Sequence, residues 1–123
     1  MSGTHTDVPS LAEHVLPSPV PRNEYEACPV TAIVRRMGGT WTLLVLSMLR
    51  HGPRRFNDLE RSIEGISQRM LTRTLRGLEE DGIVSRTVFP TNPPSVEYAL
   101  TAKGRGLMEG LAGVAAWAVE WET

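Results

Sequence analysis

Apolar residues recur at helical spacing along most of this chain and give way to strand character in one short stretch. Ile33, Val34 and Met37 make an amphipathic turn or two after Cys28-Pro29, where Pro suits the first position of a helix. Gly38-Gly39 ends that helix. Trp41, Leu44, Val45, Met48 and Leu49 predict a second helix over 41–50, capped by Thr40, with Leu43 and Leu46 widening the apolar set. A helix this apolar is expected to be largely buried and to form the centre of the core. His51-Gly52-Pro53 is a stop signal. A third helix is expected over 57–64, with Phe56, Leu59 and Ile63 inward. After the tight Gly65-Ile66 connection, Ser67 caps a fourth helix over 68–81, which Asp81-Gly82 terminates. Two strands follow, 83–89 and 96–100, on either side of a Pro-rich loop that cannot join a ladder. Thr101 caps a last helix over 102–121.

Helices three and four are joined by a very short turn, and a hairpin follows the second of the pair. That is the pattern of a winged helix-turn-helix, mainly α with a small β-hairpin. Residues 1–23 are expected to form a flexible, Pro-containing tail, with a short helix near 11–16. Residues 24–123 form the folded domain.

The whole chain is 123 residues, with 41% hydrophobic and 22% charged residues, which is one domain's worth of ordinary globular sequence. One cysteine excludes a disulfide framework within the chain and fits a reducing compartment. No apolar run nears the ~20 residues of a membrane span, and no signal peptide is evident, so a cytoplasmic location without membrane attachment is expected. The net charge of −1 conceals an asymmetry. Residues 1–49 carry −1, residues 50–76 carry +4 and residues 77–123 carry −4. A basic middle third points to a local anionic partner or to a solvated face.

The fourth helix is the more specific signal. Leu71, Leu75 and Leu78 share one face, and Arg69, Thr72, Arg73 and Arg76 share the opposite one. An α-helix fits the major groove of DNA, and arginine binds both guanine edges and phosphate in a forked geometry. Ser67 and Gln68, at the helix start, are placed for a phosphate or a base edge. Arg54 and Arg55 are placed to reach phosphates. Asn57 either caps the third helix or touches the backbone. In the wing, Arg86, Thr91 and Asn92 are placed for the adjacent minor groove, with a cross-strand pair to Glu97 as the other reading of Arg86. Gly77, inside the fourth helix, costs about 1 kcal/mol relative to Ala and suggests close packing.

The last helix suggests self-association. Leu107, Leu111, Val114, Ala118 and Trp121 repeat at spacings of four and three, and Ala115 and Trp117 widen the seam. A homodimer through these terminal helices would cover it, as would folding back on the chain's own core. No histidine has metal-ligand spacing with Cys28, no phosphate loop or nucleophile elbow is present, and neither a metal, a cofactor nor an enzymatic role is expected.

Cys28-Pro29-Val30, Gly38-Gly39-Thr40-Trp41, Arg55-Phe56-Asn57-Asp58-Leu59, the run from Gly65 to Thr72, Leu78-Glu79-Glu80-Asp81-Gly82 and the run from Pro93 to Thr101 stand in an order that resembles the HxlR-type winged helix-turn-helix transcriptional regulators. The resemblance covers about three quarters of the chain. It implies a dimeric regulator of double-stranded operator DNA, with the helix after Ser67-Gln68 in the major groove and the wing on the flanking duplex. Gly77 is a mild departure from the usual pattern. Oxidant- or electrophile-sensing members use the cysteine at the position of Cys28, and a helix start favours the thiolate that such reagents attack. The other readings of the input are a purely structural Cys28, or a small aromatic effector near Trp41, Trp117 and Trp121. A protein–protein adaptor, its arginines meeting an acidic partner, is the alternative to DNA binding.

Overall fold

The computed structural model describes residues 19–26 and 28–122. The expected helix near 11–16 and most of the expected tail lie outside these residues. The chain divides into two compact units, with the boundary after Thr40.

The first unit holds two helices, α1 (Arg22–Glu26) and α2 (Pro29–Met37). α1 begins inside the stretch expected to be tail. Cys28 is the N-cap of α2 in extended conformation, and Pro29 opens the helix without forfeiting a hydrogen bond, since first-turn N–H groups have no helical partner. The Ala32 N–H donates to Cys28 O at 3.2 Å. Arg35 and Arg36 lie in the last turn, where cations suit the helix dipole. Cys28 is buried, whereas Val34 is exposed, so the expected inward face of α2 is narrower than its sequence suggests.

The second unit is built from α3 (Thr40–Leu49), β1 (Arg54–Arg55), α4 (Phe56–Ser62), α5 (Gln68–Glu80), β2 (Val84–Phe89), β3 (Ser95–Leu100) and α6 (Ala102–Glu122). Its core is formed by Val45, Leu46 and Leu49 of α3, Leu59 and Ile63 at α4, Ile66, the three leucines of α5, Ile83, Val84 and Tyr98. Each of the larger aliphatic side chains contributes roughly 1.5–3 kcal/mol by leaving water.

α3 does not lie wholly inside. Thr42, Val45, Leu46 and Leu49 form its buried face, while Leu43 and Leu44 are exposed by 44% and 40%. Its apolar residues run all the way round, so periodicity does not mark the inward side, and Leu46 rather than Leu44 occupies the core.

The sheet has three antiparallel strands in the order β1-β3-β2, not the two of a bare hairpin. Arg54 lies opposite Tyr98 and Arg55 opposite Glu97. A two-residue strand carries no alternation to detect, and only the free edge of β3 makes it a strand. On the other side of β3, Arg86 faces Tyr98 and Thr87 faces Glu97. Arg86 and Glu97 therefore project from opposite faces of the sheet, and the pair offered as the other reading of Arg86 does not form.

α5 ends in a left-handed cap at Gly82, whose φ is 75°. The Gly82 N–H donates to Glu79 O at 3.0 Å and the Ile83 N–H to Leu78 O at 3.0 Å, the paired bonds of a Schellman motif. The chain leaves that cap directly into β2.

Candidate nucleic-acid interface

The turn before α5 positions the basic face. Gly65 takes φ 91°, a conformation that a side chain disfavours, and lets α4 end within a few residues of the next helix start. The hydroxyl of Ser67 then accepts the Met70 N–H at 3.0 Å, and Ser67 O accepts the Leu71 N–H at 2.9 Å. This is the expected N-cap, and it sets the rotation of α5 about its own axis.

With that rotation, Leu71, Leu75 and Leu78 are buried, and Gly77 is buried with them. Gln68, Arg69, Arg73 and Arg76 are exposed and Thr72 is half-buried. These five residues line one open concavity of about 500 Å³. Among the described residues, no hydrogen bond or ion pair engages the three guanidiniums. Asp58 of α4 pairs with Arg61 of the same helix. Like charges three and four residues apart destabilise an isolated helix by a few tenths of a kcal/mol per pair. The α5 stripe thus carries an uncompensated positive charge on a rod of major-groove width.

A second group converges beside the wing. Arg55, Asn57, Thr91 and Asn92 line one groove of about 550 Å³ together with Phe56, Pro93 and Pro94. Asn57 does not cap α4. The N-cap is Arg55, without a side-chain bond, and Asn57 is the second helical residue. Thr91 spends its hydroxyl proton on Pro93 O at 2.7 Å, so it shapes the loop and keeps only acceptor capacity for a partner. Arg54 and Arg86 do not join this group. They flank Tyr98 from the two neighbouring strands, on the face opposite to that of Arg55.

The remaining candidates are more dispersed. Cys28 lies in the first unit, buried at the start of α2. Trp41 sits beside the Gly65 turn, its ring 3.9 Å from where a Cβ on Gly65 would be. Trp117 and Trp121 are on α6, exposed by 57% and 69%. Val114 is also exposed, Leu107, Leu111 and Ala118 are half-buried, and Gly104 is the one buried residue of that helix among those described. The distal half of α6 does not fold back onto the core of its own chain. Val119, which the heptad reading passes over, is exposed as well. No group of potential metal ligands occurs among the described residues, and no helix there is long and apolar enough to cross a membrane.

The model of the HxlR-like helix-turn-helix family matches residues 36–123. This chain belongs to the HxlR-like helix-turn-helix family. An uncharacterized HTH-type transcriptional regulator from Methanothermobacter thermautotrophicus is 47% identical over 90 residues, covering 73% of this chain and 69% of that protein. The reduced form of the transcriptional regulator YodB from Bacillus subtilis superposes with a TM-score of 0.70 at 37% identity, over 76% of this chain and 93% of YodB. The reduced form of the redox regulator HypR gives 0.69 at 40% identity, over 75% and 91% of the two chains. YodB is also known in a diamide-treated form and HypR in an oxidised form, and both are similar to this chain. HxlR-like proteins of this kind are transcriptional regulators, not enzymes, and the winged-helix architecture read from the sequence holds with one added strand.

The sequence reading missed two features of this HxlR-like domain. One is β1, which carries Arg54 and Arg55. The other is the contact between the cap of α5 and the root of α6. Its signal was a glycine, Gly104, in the first turn of a helix, where glycine is unfavourable unless a backbone approaches closely.

Proposed function

We propose that this protein is a DNA-binding transcriptional regulator that grips double-stranded operator DNA as a homodimer. The exposed stripe of α5, whose guanidiniums make no ion pair among the described residues, carries this reading. α5 enters the major groove, with Arg69, Arg73 and Arg76 on base edges and phosphates and with Ser67, Gln68 and Thr72 beside them. Arg55, Asn57 and Asn92 take the flanking backbone beside the wing, with Thr91 holding that loop in shape. Arg54 and Arg86 add charge from the other face of the sheet. The working domain is 24–123, and the protein acts in the cytoplasm.

The dimer forms through α6, along Leu107, Leu111, Val114, Trp117, Ala118 and Trp121. Several large apolar residues exposed along one helix mark an interaction surface. A twofold pair presents two recognition helices about 34–36 Å apart, one turn of DNA.

A gel shift with the DNA upstream of the protein's own gene, at two salt concentrations, tests the reading. Binding should resist competitor DNA. It should weaken by roughly a thousandfold or more between about 50 and 200 mM salt, as six or more phosphate contacts require. Binding that competitor removes at once, at either salt, would favour the adaptor reading, with an acidic protein on the arginines.

Cys28 is the proposed sensor of oxidants. The likeness to YodB and HypR, both known in reduced and treated or oxidised forms, favours this reading, and the chain offers no other thiol. Oxidation then ends in a disulfide between protomers or a mixed disulfide with a small thiol, whereas an electrophile leaves an adduct on the sulfur. Diamide is expected to change the shift of the wild type and to leave Cys28→Ser unaffected. An equal response in both proteins would remove Cys28 from the mechanism.

A further inference from the structure

The junction between α5 and α6 is more tightly built than a simple connection requires. Three consecutive backbone carbonyls at the end of α5 are claimed by the start of α6. Lys103 Nζ donates to Asp81 O at 2.7 Å. The Thr101 hydroxyl donates to Gly82 O at 2.6 Å, with Ile83 O 3.1 Å away. The Thr101 N–H donates to Ile83 O at 3.0 Å. The same hydroxyl oxygen accepts the Gly104 N–H at 3.1 Å, so it caps α6 while it grips α5. A Cβ on Gly104 would lie 2.2 Å from Ile83 O, closer than real Cβ atoms come to any backbone atom. Only a glycine permits this separation. Two helices, one bearing the arginine stripe and the other the exposed apolar seam, are locked end to root.

We propose that Thr101, Lys103 and Gly104 are positioning residues that fix the angle between α5 and α6 and thereby set the half-site spacing that the dimer accepts. This rests on the dimer through α6. The reasoning is geometric. α6 is 21 residues long, about 30 Å of helix, so a small tilt at its root is magnified toward the seam. The two α5 helices sit at the opposite ends of that lever. A change of one base-pair step moves a half-site by about 3.4 Å and turns it by about 35° about the duplex axis, so the spacing a dimer accepts depends on both the reach and the orientation of its α5 helices. The bonds also act on the end of α5 that lies away from Ser67 and Gln68, so they orient the helix without touching DNA.

Operators are first selected from random duplexes with the wild-type protein, and their half-sites are then respaced one base pair at a time. Lys103→Met and Thr101→Val should remain dimers by sedimentation and keep wild-type affinity for a single half-site. At the wild-type spacing both should bind roughly tenfold or more weakly, the loss of about one bidentate base contact in a misplaced half-site. Their spacing preference should broaden. Thr101→Ser, which restores the hydroxyl, should recover the wild-type profile. Gly104→Ala should move the optimum to a different spacing, and if it fails to fold, Lys103→Met, whose side chain is exposed, carries the test. Folded dimeric variants with an unchanged spacing profile would overturn the proposal. A monomeric wild type would instead overturn the dimer on which it rests, and a uniform loss at single half-sites would make these residues structural supports of α5 alone.

Discussion

Arg73→Ala and Arg76→Ala are each expected to abolish specific operator binding while the dimer and its melting temperature persist. Both side chains are exposed and, among the described residues, engage no hydrogen-bonding or charged partner, so the fold loses nothing when they are cut back. Relief of like-charge repulsion between positions three apart should even raise stability slightly. A good bidentate arginine–guanine contact discriminates by about 1–3 kcal/mol, or roughly 5–150-fold, and a dimer loses it at both half-sites. The shift at the selected operator should therefore fall to the level of random DNA for either variant, with a shallower dependence on salt. Gel shift, sedimentation and a thermal melt together check this. A dissociated dimer or a large drop in melting temperature would make the side chains structural. Unchanged affinity would take α5 out of the interface.

Leu78→Ala should be among the most damaging single changes to the fold. Leu78 is fully buried in the last turn of α5, in line with Leu71 and Leu75. Truncating a buried leucine costs about 2–5 kcal/mol, depending on how far the site collapses. Leu78 is also paired with Ile83 across the C-terminal cap, where the Ile83 N–H reaches the Leu78 main-chain carbonyl and both side chains are fully buried. Such caps are commonly backed by an apolar contact between these two positions. A domain of this size is stable by only about 5–15 kcal/mol, so the melting temperature should fall by roughly 10–30 °C. Loss of DNA binding should follow unfolding in this variant, whereas in the arginine variants it occurs without unfolding. A cost below about 1 kcal/mol by denaturant titration would mean that α5 is not seated through this face.

Much of the recognition unit can be read from sequence because it depends on residues a few positions apart. Ser67 caps α5, Gly65 turns the chain, and Asp81-Gly82 closes the helix, each through bonds spanning three to five residues. The division of α5 into leucine and arginine faces follows from the period of the helix alone. The faces of α3 are not readable in this way. Its apolar residues surround the helix, and only the neighbours packed against it put Leu46 inside and leave Leu44 half in water. Asn57 has the composition of a cap, yet the chain enters α4 two residues too early for it to serve.

What the sequence determined by itself is the set of local elements, their order and the charged stripe on α5, because caps, turns and helical period are written in neighbouring residues. Tertiary structure alone decided which distant residues meet. Strand register turned Arg86 away from Glu97 and gathered Arg55 with the wing loop, and a shift of one residue would have reversed both. The seat of Gly104 against the Ile83 carbonyl joins residues far apart in the chain, and no periodicity records such a meeting. Side-chain pattern along a chain specifies faces, and only packing and backbone pairing between distant segments specify what each face meets.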